Sequence, residues 1–354
     1  MQIVRGHLQA YDWGPVDGLT DWTASTGGPQ AELWFGSHPN GPSPLRDQGG
    51  EATAPLPILT KILAAARPLS IQIHPPAEMA RAQFEVQQAD PGAPRLLSDP
   101  YAKAEILIAL EPFVILEGFR AAQRSAEVFS HLGPGLRGAQ SALAAGDIRG
   151  CVRTLLTLPL QEVVSNAEHL PAASGAAGLT AYEAGVIHDV AHYFPGDPGV
   201  FVAALLNART LQPGEAVFVD PGTVHAYVRG TGVEVMVNSD NVLRLGLTTK
   251  TIAVDAALAA MSTGAQPHPL SPPILDGVAH YDPAGAPFRV EVVSGATCAA
   301  GQGHARIVVC LDGEVKLGEV VLTPGDGALL ASRDPQVDVE AHGRAVVAHH
   351  TGRG

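Results

Sequence analysis

The stretch from Leu211 to Tyr227, LQPGEAVFVDPGTVHAY, decides the fold. Pro213-Gly214 turns the chain into the apolar run AVFV, and Pro221-Gly222 makes a second turn two residues short of His225. Turn, strand, turn and histidine in that order suit an antiparallel sheet closed on itself, with one imidazole delivered to its interior. Short strands between Gly and Pro corners continue on both sides. Upstream are QIVRGHLQAYDWG, AELWFGSHPNGPS and LPILTKILAAARPLSIQIHPP; downstream are GVEVMVNSDNVLRLGL, FRVEVVSG, ARIVVCLDGEV, VVLTPGDGALLAS and RAVVAHH. Such spacing favours a double-sheet jelly roll over a parallel sheet. PGDGALL at 324–330 repeats the turn of PGEAVFV at 213–219, as two related jelly rolls would.

The expected fold is therefore mainly β with a helical insertion: two jelly-roll β-sandwiches plus an α-helical domain. KAEILIALEPFVIL, 103–116, reads as two buried strands with Pro112 at the turn. From 119 to 193 the pattern changes to helical spacing, as in SAEVFSHL and TAYEAGVIHDVAHYF. A short helical piece, TIAVDAALAAMS, follows the second run of strands, and the Pro-rich segment Gln266 to Gly277 reads as a linker. The expected units are 1–118 with 194–265, the insertion 119–193, and a C-terminal jelly roll 266–354.

Composition narrows the function. The 354 residues are 46% apolar and 16% charged, enough for two or three units with ample cores and far from a disordered composition. A net charge of −13 disfavours nucleic acid and anionic membranes as partners. No charge-free apolar run of about 18 residues occurs, and MQIVRGHLQAYDWG is not a secretory leader, so a cytoplasmic protein is expected. Cys151, Cys298 and Cys310 are an odd number without a CxxC pair and read as free thiols. Only four lysines occur, Lys61, Lys103, Lys250 and Lys316, and the first three fall in or beside the segments proposed below to form a pocket.

Ser70-Ile71-Gln72-Ile73-His74 alternates, so on a strand Ser70, Gln72 and His74 share one face. A polar face in an apolar strand needs an occupant, either a hydrogen-bonded domain junction or a metal ion. An imidazole and an amide oxygen two residues apart can bind one ion, and imidazole suits zinc. His225 supplies a third ligand unless it is a packed core histidine. A carboxylate should complete the set, and two compete. Glu78 follows His74 by four residues but opens the helical AEMARAQFEVQQ, where it favours the helix N-terminus in any case. Glu105 begins the apolar EILIAL, where a carboxylate must be paired or metal-bound, and is preferred. Three patterns are set aside. GPGLRG at 133–138 lacks a preceding strand, His188 and His192 read as a helix-face pair, and His349-His350 reads as a solvated tail.

Together the motifs resemble the type I mannose-6-phosphate isomerases, the zinc-dependent phosphomannose isomerase family of the cupin superfamily. The matching stretches, in family order over about 240 residues, are YDWG (11–14), AELWFGSHPNGPS (31–43), PLSIQIHPP (68–76), DPYAKAE (99–105), FPGDPGVF (194–201), LQPGEAVFVDPGTVHAY (211–227) and EVMVNSDNVLRLGLTTK (234–250). The resemblance implies one Zn²⁺ per chain on Gln72, His74, Glu105 and His225, with Arg244 in the active site. It places Lys61, Ser70 and Lys103 in the substrate pocket, with Glu234, Asp240 and Tyr227 close by. Lys103, Glu234 and Asp240 are then candidate proton carriers, together with a zinc-bound water. Lys61, Lys103 and Ser70 are candidates for a phosphate group. The family usually reads NHKPE around the glutamate; here the run is Tyr101-Ala102-Lys103-Ala104-Glu105, without the histidine. The implied activity interconverts mannose 6-phosphate and fructose 6-phosphate through an enediol, in a protein expected to be monomeric. Two alternatives are a non-catalytic zinc-binding, sugar-sensing cupin and a metal-dependent cupin oxygenase. The intact Arg244 segment disfavours the first, and Gln72, where a redox iron site would more often carry His, disfavours the second.

Overall fold

The computed structural model describes residues 1–90, 92–265 and 268–352. Among them, the strands gather into an 11-stranded, a 7-stranded and a four-stranded sheet. The strand His225–Val237 organises the largest. Its first residues pair with Gln72–Ile73 and Phe113–Phe119, and its later ones with Glu105–Ala109 and Ile58–Ala65. The register shifts between Tyr227 and Arg229, and Gly230 follows at φ +133°. A Cβ on Gly230 would stand 2.7 Å from the Phe113 Cα, so a side chain there is excluded by the crossing backbone as well as by φ. Bulge and glycine bend the strand, and the sheet folds over on itself.

Alternation then assigns the faces. Leu63, Leu107, Phe113, Ile115, Val217 and Tyr227 pack together between the two halves of the folded sheet. On the outside of one half, Ile62, Ile106, Ile108, Val233 and Val235 pack against Phe288, Ile307, Val309 and Val346 of the seven-stranded sheet. On the outside of the other, Leu116, Ala226 and Val228 pack against helical residues such as Phe129, Val152, Leu155 and Val190. The helices of the insertion begin at Ala122 and continue past the expected limit of 193, to Gly199–Ala203. The four-stranded sheet covers the free face of the seven-stranded one through Val293, Val308, Val315, Leu322, Val339 and Val347.

Three expectations change. The segment read as a linker contributes His268–Leu270 to the edge of the 11-stranded sheet and Ile274–Leu275 to a hairpin with Val278–Tyr281; its first residues, Gln266 and Pro267, lie outside the described residues. An edge strand tolerates Pro269 because a proline needs no ladder partner on its outward side. Gln2–Arg5 pairs with Asp326–Leu330 in the seven-stranded sheet, so the chain begins away from the sheet it was assigned to. His349 is not a solvated tail. It lies in the strand Arg344–His350, is buried, and its Nε2 stands 3.3 Å from Glu291. That strand pairs on both sides, with Phe288–Ser294 and Arg306–Asp312, which removes it from water. All three cysteines are free, and among the described residues no helix is long and apolar enough to cross a membrane.

Candidate metal centre and active site

Glu105 opens its strand, His225 opens the long strand, and His74 follows directly on Gln72–Ile73. Gln72 lies opposite His225 on one side and Arg244 on the other. Opposite residues in an antiparallel pair share a face, so Arg244, Gln72 and His225 stand in a row. One donor atom each from His74, Glu105 and His225 lies within 4.8 Å of the others, and all three residues are buried. Both imidazoles address the same carboxylate, His74 Nε2 at 3.1 Å from Glu105 Oε2 and His225 Nε2 at 3.1 Å from Oε1.

The opposite ring nitrogens set the tautomers. His74 Nδ1 is 2.8 Å from the Asn241 carbonyl, and His225 Nδ1 is 3.1 Å from the Thr223 carbonyl. A carbonyl only accepts, so each Nδ1 carries the proton and each Nε2 presents a lone pair towards Glu105. Burial, with the Lys103 cation beside it, pushes the His74 imidazole down to about 4 against the pull of Glu105. Burial would raise the Glu105 carboxyl, but the Lys103 cation beside it holds it well below the carboxylate range. Two imidazoles with Nε2 turned inward and a carboxylate are a donor set that zinc takes. Gln72 lies opposite His225, on the same face of the sheet.

Cations and acids surround this cluster. Lys103 Nζ contacts the Glu105 carboxylate and stands 3.3 Å from His74 Nε2. The Tyr227 hydroxyl donates to Glu105 Oε1 at 3.0 Å. Burial, Glu105 and Glu234 all hold that phenol well above its ordinary value, so it remains a donor. Lys61 lies 2.7 Å from Glu234 and 3.7 Å from Glu32, above the Trp34 ring. Burial would lower the Lys61 ammonium, but Glu234 and Glu32 hold it above its usual range, so it stays cationic. Asp240, at the rim, accepts from Asn40 at 2.7 Å and faces His38, whose hydrogen bond holds its carboxyl below the usual value against burial. Arg244 is half-buried and burial lowers its pKa, with no carboxylate partner among the described residues. Ser70 is half-buried, in a segment pinned by Leu69 N–H to the Tyr227 carbonyl and Ile71 N–H to the Gly246 carbonyl.

The structure thus brings Lys61, Gln72, His74, Lys103, Glu105, His225, Tyr227, Glu234 and Arg244 to one folded sheet, with Asp240 at its edge. Glu78 is left exposed in the first turn of Ala77–Ala89. Lys250 is exposed, in the turn beyond Arg244. Sequence reading missed Glu32 and Trp34, whose indole donates to Glu32 at 2.6 Å. Their signal was available: both lie on one face of ELWF, the alternation that singled out Gln72 and His74. Asn241 was missed because it acts through its carbonyl.

A family profile for the catalytic domain of type I phosphomannose isomerase matches residues 45–122. The chain is 31% identical to the mannose-6-phosphate isomerase of Escherichia coli (strain K12) over 389 aligned positions, 97% of this chain and 98% of that one. Mannose-6-phosphate isomerase 1 of Arabidopsis thaliana is 28% identical over 92% of this chain and 90% of its own. Among solved structures, the apo form of mannose 6-phosphate isomerase from Salmonella typhimurium superposes with a TM-score of 0.84 at 28% identity, covering 99% of both chains. A mannose 6-phosphate isomerase bound with zinc and yttrium superposes at 0.83 and 29%, again over 99% of both.

Proposed function

The chain belongs to the type I mannose-6-phosphate isomerase family, and on that premise we propose that it holds one Zn²⁺ on Gln72, His74, Glu105 and His225 and interconverts mannose 6-phosphate and fructose 6-phosphate through an enediol. One observation carries the metal assignment: both Nε2 atoms converge on Glu105 while both Nδ1 atoms are committed to carbonyls. When bound, zinc supplies a Lewis acid beside the sugar oxygens at C1 and C2.

The remaining work falls to this chain's own groups. The reaction moves a proton between adjacent carbons while negative charge develops on an oxygen. Arg244, a permanent cation with a fixed donor fork, is the group for that oxygen or for the phosphate. Lys61 holds Glu234 in place in a buried wall, where its carboxylate is a candidate to accept a proton once the sugar excludes water. Asp240 and Lys103 are the other candidate proton carriers. Ser70 and Tyr227 offer hydroxyls to the sugar or its phosphate, and Lys103 a cation.

The same reading takes the folded 11-stranded sheet as the catalytic jelly roll, 1–118 with 194–265, interrupted by the helical insertion. The C-terminal sheets are then a second jelly roll that has taken Gln2–Arg5 as an edge. An assay coupled to fructose 6-phosphate, run before and after chelation, tests the function. Isomerisation should disappear with the metal and return with added Zn²⁺; turnover that persists after verified metal removal defeats the zinc role, and absence of turnover in zinc-loaded protein leaves the sugar-sensing and oxygenase alternatives.

A further inference from the structure

Glu117 is a buried carboxylate that neither the sequence motifs nor the proposed ligand set uses. It ends the inward-facing series of Phe113–Phe119 and lies directly opposite His225, on the side away from Gln72. Its residue is 2% exposed. Oε1 accepts from Arg209 Nε at 2.8 Å, whereas Oε2 has no hydrogen-bond partner among the described residues. A half-satisfied charge in a sheet interior is costly, and nothing in the packing of this strand calls for it. Glu117 is not among the three residues whose donor atoms converge, so it does not ligate with them. Nor does it take the His225 ring proton, which goes to the Thr223 carbonyl.

We propose that Glu117 is a positioning residue for the metal centre, whose fixed negative charge beside His225 strengthens the hold of His74, Glu105 and His225 on a divalent cation. Opposite charges interact far more strongly in a buried wall than in water. Burial raises the Glu117 carboxyl and the Arg209 ion pair opposes that rise; Arg209 cancels little of the carboxylate's field at the metal, because its side chain is 42% exposed and screened by solvent. The unpartnered Oε2 leaves that field uncompensated on one side.

The inference rests on the zinc reading, and its test separates the two. Glu117→Gln keeps the shape and the acceptor for Arg209 while removing the charge; Glu117→Met removes charge and polarity together. Zn²⁺ affinity is measured by competition with a chromophoric chelator at fixed pH, alongside the melting temperature of the metal-free protein. Both variants should bind Zn²⁺ about tenfold or more weakly, while the metal-free melting temperature stays level or rises. Wild-type protein that binds no Zn²⁺ overturns the parent reading. Wild-type binding with both variants within twofold of it overturns the role of Glu117 alone, as does a lowered metal-free melting temperature with unchanged affinity, which marks a merely structural residue.

Discussion

At the scale of single residues, the site is a set of acids and bases whose charge states are enforced by neighbours. His74 and His225 are locked by the Asn241 and Thr223 carbonyls with Nε2 turned inward. Replacing either imidazole should therefore act first on the metal: His225→Ala is expected to lose bound zinc, read by elemental analysis, and a tightly held ion retained in that variant removes His225 from the ligand set. Arg244 behaves differently because its place in the row lies beyond Gln72, outside the converging donors. Arg244→Ala should keep its zinc and lose about 10²–10³ in kcat, the usual consequence of removing a preorganised cation from a developing oxyanion. A near-normal kcat places Arg244 outside the chemistry.

At the scale of an element, the helix Ala181–Tyr193 shows how local rules hold the insertion together. Thr180 and Glu183 form a capping box, each side chain serving the other's backbone N–H, and Glu183 also pairs with Arg120 at 3.0 Å. Thr180→Ala should cost about 1 kcal/mol of stability, measured by chemical denaturation. Burial raises the Glu183 carboxyl, but the Thr180 hydrogen bonds and Arg120 outweigh it and hold it below its ordinary value. A carboxyl lowered by folding contributes stability above the ordinary glutamate value of about 4.3, and loses it as pH falls through the folded value. The melting difference between wild type and Glu183→Gln should thus be full at pH 7 and shrink below about pH 4. A difference that grows on acidification contradicts this account.

At the scale of the molecule, the 11-stranded sheet has both outer faces covered, one by helices and one by the seven-stranded sheet. Phe218 and Phe288 meet edge to face across the second boundary, with ring centroids 6.2 Å apart. Phe288→Ala should cost about 3–5 kcal/mol and lower a single cooperative transition followed by far-UV dichroism; two separated transitions show that the sheets fold independently. Much of this was legible in the residues. Alternation in SIQIH, the carboxylate opening the apolar EILIAL and the turns of PGEAVFVDPGTVH named every member of the converging cluster, because strand geometry ties the face of a side chain to its position and a buried charge needs a partner. Where a strand finds its partner is not written locally. Gln2–Arg5 joins a sheet more than 300 residues away, the Pro-rich segment becomes two edge strands, and His349 is enclosed by strands on both sides. The pairing of Lys61 with Glu234, and the proximity of Glu117 to His225, likewise depend on cross-strand register. Local pattern by itself determined which residues face inward and which chemistry they offer. Only the closed sheet decided which of them meet, since register and burial arise from contacts between segments remote in the chain.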